Sequence, residues 1–147
     1  MIRNDKQYKV TKSRLKEFTA ALNNLQQQEM NPLWRELGEG SVKSQIEDFE
    51  KEINEYELLK RGSIRHIRIR DLADVNEALI KARICRNWTQ AYLAGRLNMK
   101  EQQIQRYEMN KYASANFERI SEIAAVLENT MQPTHIQLGS IADNVPS

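Results

Sequence analysis

Apolar residues along this chain recur at alternating intervals of three and four, the period of an amphipathic helix. Leu15, Phe18, Leu22 and Leu25 form one stripe, and Val42, Ile46, Phe49, Ile53 and Tyr56 form a second. Leu79, Ile80 and Ile84 lie on one face of a helix that the pattern starts at Val75. The run Ile64-Arg65-His66-Ile67-Arg68-Ile69-Arg70 departs from this period, alternating with period two over its last four positions, and reads as a short strand or extended linker. With 5 Gly, 3 Pro and 29% charged residues in 147, the composition also suits helices better than a turn-rich β-sandwich. The expected fold class is all-α.

The first stripe predicts a helix from Thr11 to about Gln28. Asn31 to Gly40, with Pro32, Gly38 and Gly40, reads as a connector, after which Ser41 caps a second helix that Gly62 closes. Two such seams make an antiparallel hairpin over residues 1–62. A hairpin this thin buries little by itself, so its seams need a partner: either the rest of the chain or the same hairpin of a second subunit. The second option makes Leu15, Phe18, Leu22, Leu25, Val42, Ile46, Phe49 and Ile53 the dimerisation residues of a homodimer. Residues 63–74 are then a linker or short strand, 75–130 a second domain, and 131–147, with Pro133, Gly139 and Pro146, an irregular tail.

No apolar run exceeds the five residues Ile123 to Leu127, and the first six residues carry charge where a leader needs an apolar stretch, so a soluble cytoplasmic protein without a membrane partner is expected. Cys85, His66 and His135 are too few soft ligands for a zinc site. There is no Gly-rich phosphate loop and no nucleophile set beside a histidine in sequence. Neither catalysis, a metal nor a cofactor is expected. Trp34 and Trp88 read as packing anchors, and Met99 and Met109 as packing residues.

Charge narrows the function. Residues 1–62 carry 11 basic and 11 acidic side chains, whereas Lys81 to Lys111 contains seven basic residues and two acidic ones, a local excess that attracts a phosphate backbone. Within that window Thr89 is placed to cap a short helix from Gln90 to about Arg96, Leu97-Asn98-Met99 makes a tight turn, and a further helix runs from about Lys100 to Met109. Ala91, Ala94 and Gly95 are small enough for a close helix crossing. In the last helix Ile104 and Tyr107 point inward, while Glu101, Gln102, Gln105 and Arg106 point out. Gln and Arg are planar, multidentate groups that match adenine and guanine edges in the major groove. Two short helices about a tight turn, with such a face exposed, make a helix-turn-helix.

Residues from about Leu79 to Leu127 resemble the Cro/phage-repressor (xenobiotic-response-element type) helix-turn-helix family. The resemblance rests on Arg83, Thr89-Gln90, Leu93-Ala94, Leu97, Ile104, Arg106-Tyr107-Glu108 and Asn110-Lys111, with Phe117, Ile120, Ile123, Ala124 and Leu127 matching the fourth helix. It implies a lambda-repressor-like DNA-binding domain with base-reading positions at Lys100, Glu101, Gln102, Gln105 and Arg106. Phosphate contacts fall at Thr89, Gln90, Asn110 and Lys111, with Gln90 also buttressing the recognition helix, and a structural salt bridge at Arg83 and Glu108. The turn residue, commonly glycine in the family, is Asn98 here; the capping position is Lys100, which has no acceptor; and no fifth helix is evident after Leu127. The function implied is a sequence-specific regulator of transcription binding double-stranded DNA, acting as a repressor. The alternative is an antitoxin that represses its own operon and neutralises a partner toxin protein.

Overall fold

The computed structural model describes residues 1–128, which form six helices and no strand; the expected tail at 131–147, with His135, lies outside them. The helices are α1 (Asp5–Gln27), α2 (Pro32–Lys60), α3 (Leu72–Cys85), α4 (Gln90–Arg96), α5 (Glu101–Met109) and α6 (Phe117–Val126). Among the described residues no helix is long and apolar enough to cross a membrane.

Five of the six helices, all but α5, start where a side chain accepts one of the first free N–H groups, and this moves several boundaries from those the apolar period suggests. Asn4 Oδ1 accepts from the Gln7 amide at 2.9 Å, so α1 begins well before Thr11. The expected connector is helical. Asn31 Oδ1 accepts from Leu33 N at 2.9 Å, Pro32 sits in the first turn where its missing N–H costs nothing, and α2 runs on through Gly38 and Gly40. Ser41 is therefore an interior residue of α2 and caps nothing. The 64–70 segment forms neither strand nor helix, and α3 starts at Leu72 rather than Val75 because Asp71 Oδ1 accepts from Asp74 N at 3.1 Å.

In the hairpin the two seams face each other within one chain. Phe18 and Phe49 meet edge to face with ring centroids 5.3 Å apart, and a Cβ on Gly38 would stand 3.8 Å from the Leu25 methyls. Of the eight seam residues Ile53 is buried and the other seven are half-buried, so the apolar stripes expected to hold a second subunit already cover each other in part. Gly38 and Arg35, which reaches back to the Gln28 carbonyl, occupy the inner positions at the start of α2. Leu33, Trp34 and Leu37 turn outward, and Trp34, expected as a packing anchor, is 68% exposed.

At its other end the hairpin merges into the rest of the molecule. Ile2, Ile53, Tyr56 and Leu59 share one buried cluster with Leu79, Ile80, Ile84, Leu93, Ala94, Ile104, Tyr112, Ile123 and Leu127. Tyr56 also donates to Asp5 at 2.8 Å. That bond, with Lys60 nearby, holds the Asp5 carboxyl below its usual range. Between α2 and α3, Lys81 Nζ sits 2.6 Å from Glu55 and 3.0 Å from Glu77. Its burial disfavours the charge, yet the two carboxylates more than offset this and raise its pKa. The core thus runs across the 62/63 boundary, and the last turns of α2 with Ile2 cover the domain that follows.

A helical Gly40 with no atom within 4 Å of its would-be Cβ is a site where alanine should stabilise. Gly40→Ala is expected to raise the unfolding free energy by about 0.5–1 kcal/mol, by removing glycine's freedom in the unfolded chain. Urea unfolding checks this, and a loss of stability would show that residue 40 needs the backbone freedom of a connector.

Candidate nucleic-acid interface

The region from Arg83 to Tyr112 is built from local rules. Thr89 Oγ1 accepts from Tyr92 N at 3.0 Å and starts α4. Asn98, at φ 53°, adopts the left-handed conformation that a short polar side chain tolerates, and the Met99 amide returns to the Ala94 carbonyl at 2.9 Å. Lys100 offers no acceptor, and its place is filled from inside the helix, where Gln103 Oε1 accepts from the Lys100 amide at 3.0 Å. Leu93, Ala94 and Ile104 are buried between α4 and α5. Of the small residues expected at this crossing only Ala94 is used; Ala91 and Gly95 are exposed.

Glu108 controls how α5 is held. Its carboxylate is wholly buried and receives Arg83 Nε at 2.5 Å, Arg83 Nη2 at 2.7 Å and Gln90 Nε2 at 2.7 Å. Arg83, 2% exposed, also donates from Nη1 to the Trp88 carbonyl and from Nη2 to the Arg3 carbonyl, both at 2.7 Å. Arg3 Nη1 in turn reaches the Glu108 carbonyl at 3.0 Å, and Asn4 Nδ2 donates to Gln90 Oε1 at 3.2 Å. Helices α3 and α4 thus meet on one carboxylate of α5 through charge-assisted bonds, and the amino-terminal segment joins them through Arg83, Gln90 and the Glu108 backbone carbonyl.

The base-reading candidates face solvent. Lys100, Glu101, Gln102, Gln105 and Arg106 are all exposed, and Gln105 Nε2 donates to Glu101 Oε1 at 3.0 Å, which fixes that pair relative to the helix. Among the phosphate candidates, Thr89 is exposed but its oxygen caps α4. Gln90 is 6% exposed with both ends of its amide bonded inside the molecule, so its side chain braces α5 and does not face solvent. Asn110 donates to Ser114 Oγ at 2.8 Å, and Lys111 Nζ lies 3.0 Å from Glu77. The Glu77 carboxyl is held below its usual range by hydrogen bonds from Lys111 and Lys81.

Several residues outside the sequence reading matter here. Tyr112 is fully buried at φ 59° and stacks on Tyr107 with centroids 5.8 Å apart, closing the loop after α5. Burial raises its pKa, and its hydroxyl has no partner among the described residues. A single large apolar ring in a polar loop was the available signal. Arg3 and Asn4 carried none, because a short polar segment far away in sequence does not announce its docking site. Trp88 packs against Tyr92 at 4.8 Å, with the Arg86 and Arg96 guanidiniums 5.5 and 5.7 Å from its ring. Met109, expected to pack, is 68% exposed, and Phe117 is 82% exposed. Met109 follows Glu108 on the outer side of α5, and Phe117 opens α6 one residue after its Asn116 cap.

Residues 79–132 match the sequence model of the family described as Helix-turn-helix. No curated protein and no solved structure matches the chain. The match and the α4-turn-α5 geometry coincide, and this segment belongs to the Cro/phage-repressor type of helix-turn-helix, a class of domain that binds double-stranded DNA.

Removing the hub should be costly. Glu108→Ala leaves Arg83 buried with an uncompensated charge and is expected to lower the unfolding free energy by about 3–5 kcal/mol. Denaturant titration measures this, and an unchanged midpoint would mean that the carboxylate holds nothing.

Proposed function

We propose that the chain is a sequence-specific regulator of transcription that sets α5 in the major groove of duplex DNA and acts as a repressor. The observation that carries this reading is the division of α5 into two faces. Ile104 and Glu108 are fixed in the interior, while Gln102, Gln105 and Arg106 stand in solvent. Base readout requires multidentate side chains on a backbone that does not shift when DNA binds. Thr89 at the start of α4, with Asn110 and Lys111 beyond the end of α5, flank that face and suit phosphates on either side. Gln90 acts from behind as a brace. Repression needs only occupancy of a promoter, and the domain supplies that.

A two-fold pair reading half-sites about 34 Å apart would double the readout. The seam residues Leu15 to Leu25 and Val42 to Ile53 meet within one chain but stay half-buried except for Ile53, so a second copy of the hairpin laid on them would complete their burial. One observation favours the second reading, an antitoxin that binds a partner protein. Leu33, Trp34 and Leu37 are exposed together at the end of the hairpin away from the DNA-binding domain, and clustered apolar exposure marks interaction surfaces.

Selection of binding sites from random duplexes tests the main reading. On the selected site Gln102→Ala or Arg106→Ala is expected to cost about 1–3 kcal/mol and relax the preference at one position, while Lys111→Ala weakens all duplexes alike. Equal losses on selected and random DNA for Gln102→Ala would show that α5 reads no base. Size-exclusion chromatography with mass spectrometry of the protein from its native source reports any bound small protein.

A further inference from the structure

The neutral balance of residues 1–62 conceals two oppositely charged helices. Between Arg3 and Lys16 stand six basic residues, Arg3, Lys6, Lys9, Lys12, Arg14 and Lys16, against the single acid Asp5. The antiparallel partner α2 carries eight acidic residues and four basic ones. Two such helices side by side could neutralise each other, but they do not. Asp5 pairs with Lys60 and Glu57 with Arg61, whereas Lys6, Lys9, Arg14 and Lys16 are exposed and make no ion pair among the described residues. Like charges crowded on successive turns repel, so this arrangement costs stability and needs a counter-charge from outside.

Where the basic stripe lies identifies that counter-charge. An open groove of about 550 Å³ separates the first turns of α1 from α4 and α5. Arg3, Lys6 and Arg14 line its α1 side, and Gln90, Gln105 and Met109 line the other. Gln105 belongs to the exposed residues of α5, so Arg3, Lys6 and Arg14 open on the same side of the molecule as that face, while Lys9, Lys12 and Lys16 lie outside the groove on the other side of α1. Lys6 and Arg14 are eight residues apart, about 12 Å along a helix, and duplex DNA presents a phosphate charge roughly every 1.7 Å of its axis. The placement is rigid, because Asn4 both caps α1 and bonds Gln90, and the Arg3 carbonyl accepts from Arg83.

We propose that the amino-terminal half of α1 is a second phosphate-binding element of the DNA interface, in which Lys6 and Arg14 contact the backbone beside α5 and Lys9, Lys12 and Lys16 strengthen the field. This rests on the reading that α5 enters the major groove. It gives the hairpin a direct part in binding and lengthens the footprint beyond the helix-turn-helix itself.

The test is the salt dependence of affinity for a random-sequence duplex of about 30 base pairs, followed by fluorescence anisotropy on the full chain. Lys6→Gln with Arg14→Gln removes two charges at exposed positions of a helix and should leave the melting curve unchanged. Each phosphate contact contributes about 0.9 to the slope of log affinity against log salt, so the double variant should lose about 1.8 from that slope. It should also bind roughly tenfold or more weakly at 0.1 M salt, on selected and random sequences alike. Lys43→Gln with Lys51→Gln removes the same charge from α2 and should leave the slope near that of the unaltered protein. If the two double variants lose equally, the effect is one of net charge and the proposal fails. If Lys6→Gln with Arg14→Gln leaves the slope unchanged while the unaltered protein binds DNA, this proposal alone fails. If the unaltered protein binds no duplex, the reading of α5 falls and this proposal with it.

Discussion

A buried carboxylate is tolerable only where every oxygen has a partner, and the structure around Glu108 is arranged to meet that demand. Three N–H groups from Arg83 and Gln90 bond to it, and the donors left on Arg83 go to the carbonyls of Trp88 and Arg3. Each of those partners belongs to a different part of the fold: α3, the loop before α4, α4 itself, and the segment that leads into α1. Hydrophobic packing between α4 and α5 would tolerate small rotations, since apolar contacts have little directional preference. A bidentate guanidinium-carboxylate pair does not. The orientation of α5 is thus fixed by the least forgiving interaction in the molecule.

The same network makes the hairpin continuous with the helix-turn-helix. Arg3 and Asn4 are two residues of α1's lead-in, and both are committed to the Arg83, Gln90 and Glu108 cluster. Ile2 from the same segment and Ile53, Tyr56 and Leu59 from the end of α2 complete the apolar cover. The hairpin base thereby covers part of the domain core. Covering the core with an element that projects away from it leaves the other end of the hairpin, with Leu33, Trp34 and Leu37, free of the DNA-binding domain.

Legibility in the sequence followed the range of the interaction. Features governed by neighbours a few residues apart could be read directly: the helical period, the Thr89 cap, the turn at Asn98, and the alternation of inner and outer residues on α5. The Arg83 and Glu108 pairing came from the resemblance, since 25 residues separate the two and nothing local connects them. Failures had two causes. Pro32, Gly38 and Gly40 look like breakers in the sequence, yet a proline in the first turn is harmless, and long flanking helix with a tertiary partner outweighs two glycines. Residues 2–4 and Tyr112 gain their importance wholly from distant contacts. Gln90 takes the buttressing part of the role that its place in the motif implies, because the local hydrogen bonds commit its amide to Glu108 and Asn4.

A helix of nine residues, as α5 is, measures about 13 Å, and if set in a major groove as proposed it addresses only a few base pairs, so small errors in its angle displace every side chain it offers. The protein holds that helix at both ends and from behind. Gln103 bonds back to the Lys100 amide at the start, Tyr112 stacks under Tyr107 at the end, and Glu108 anchors the inner face. None of these groups belongs to the outward set Gln102, Gln105 and Arg106. On the proposed reading of α5, substitutions on the outer face change which bases are preferred with little effect on the fold, whereas substitutions on the inner face change the fold first and sequence preference only as a consequence. That separation lets one scaffold carry different target sequences, and it follows here from a single helix whose buried residues form bonds and whose exposed residues remain available.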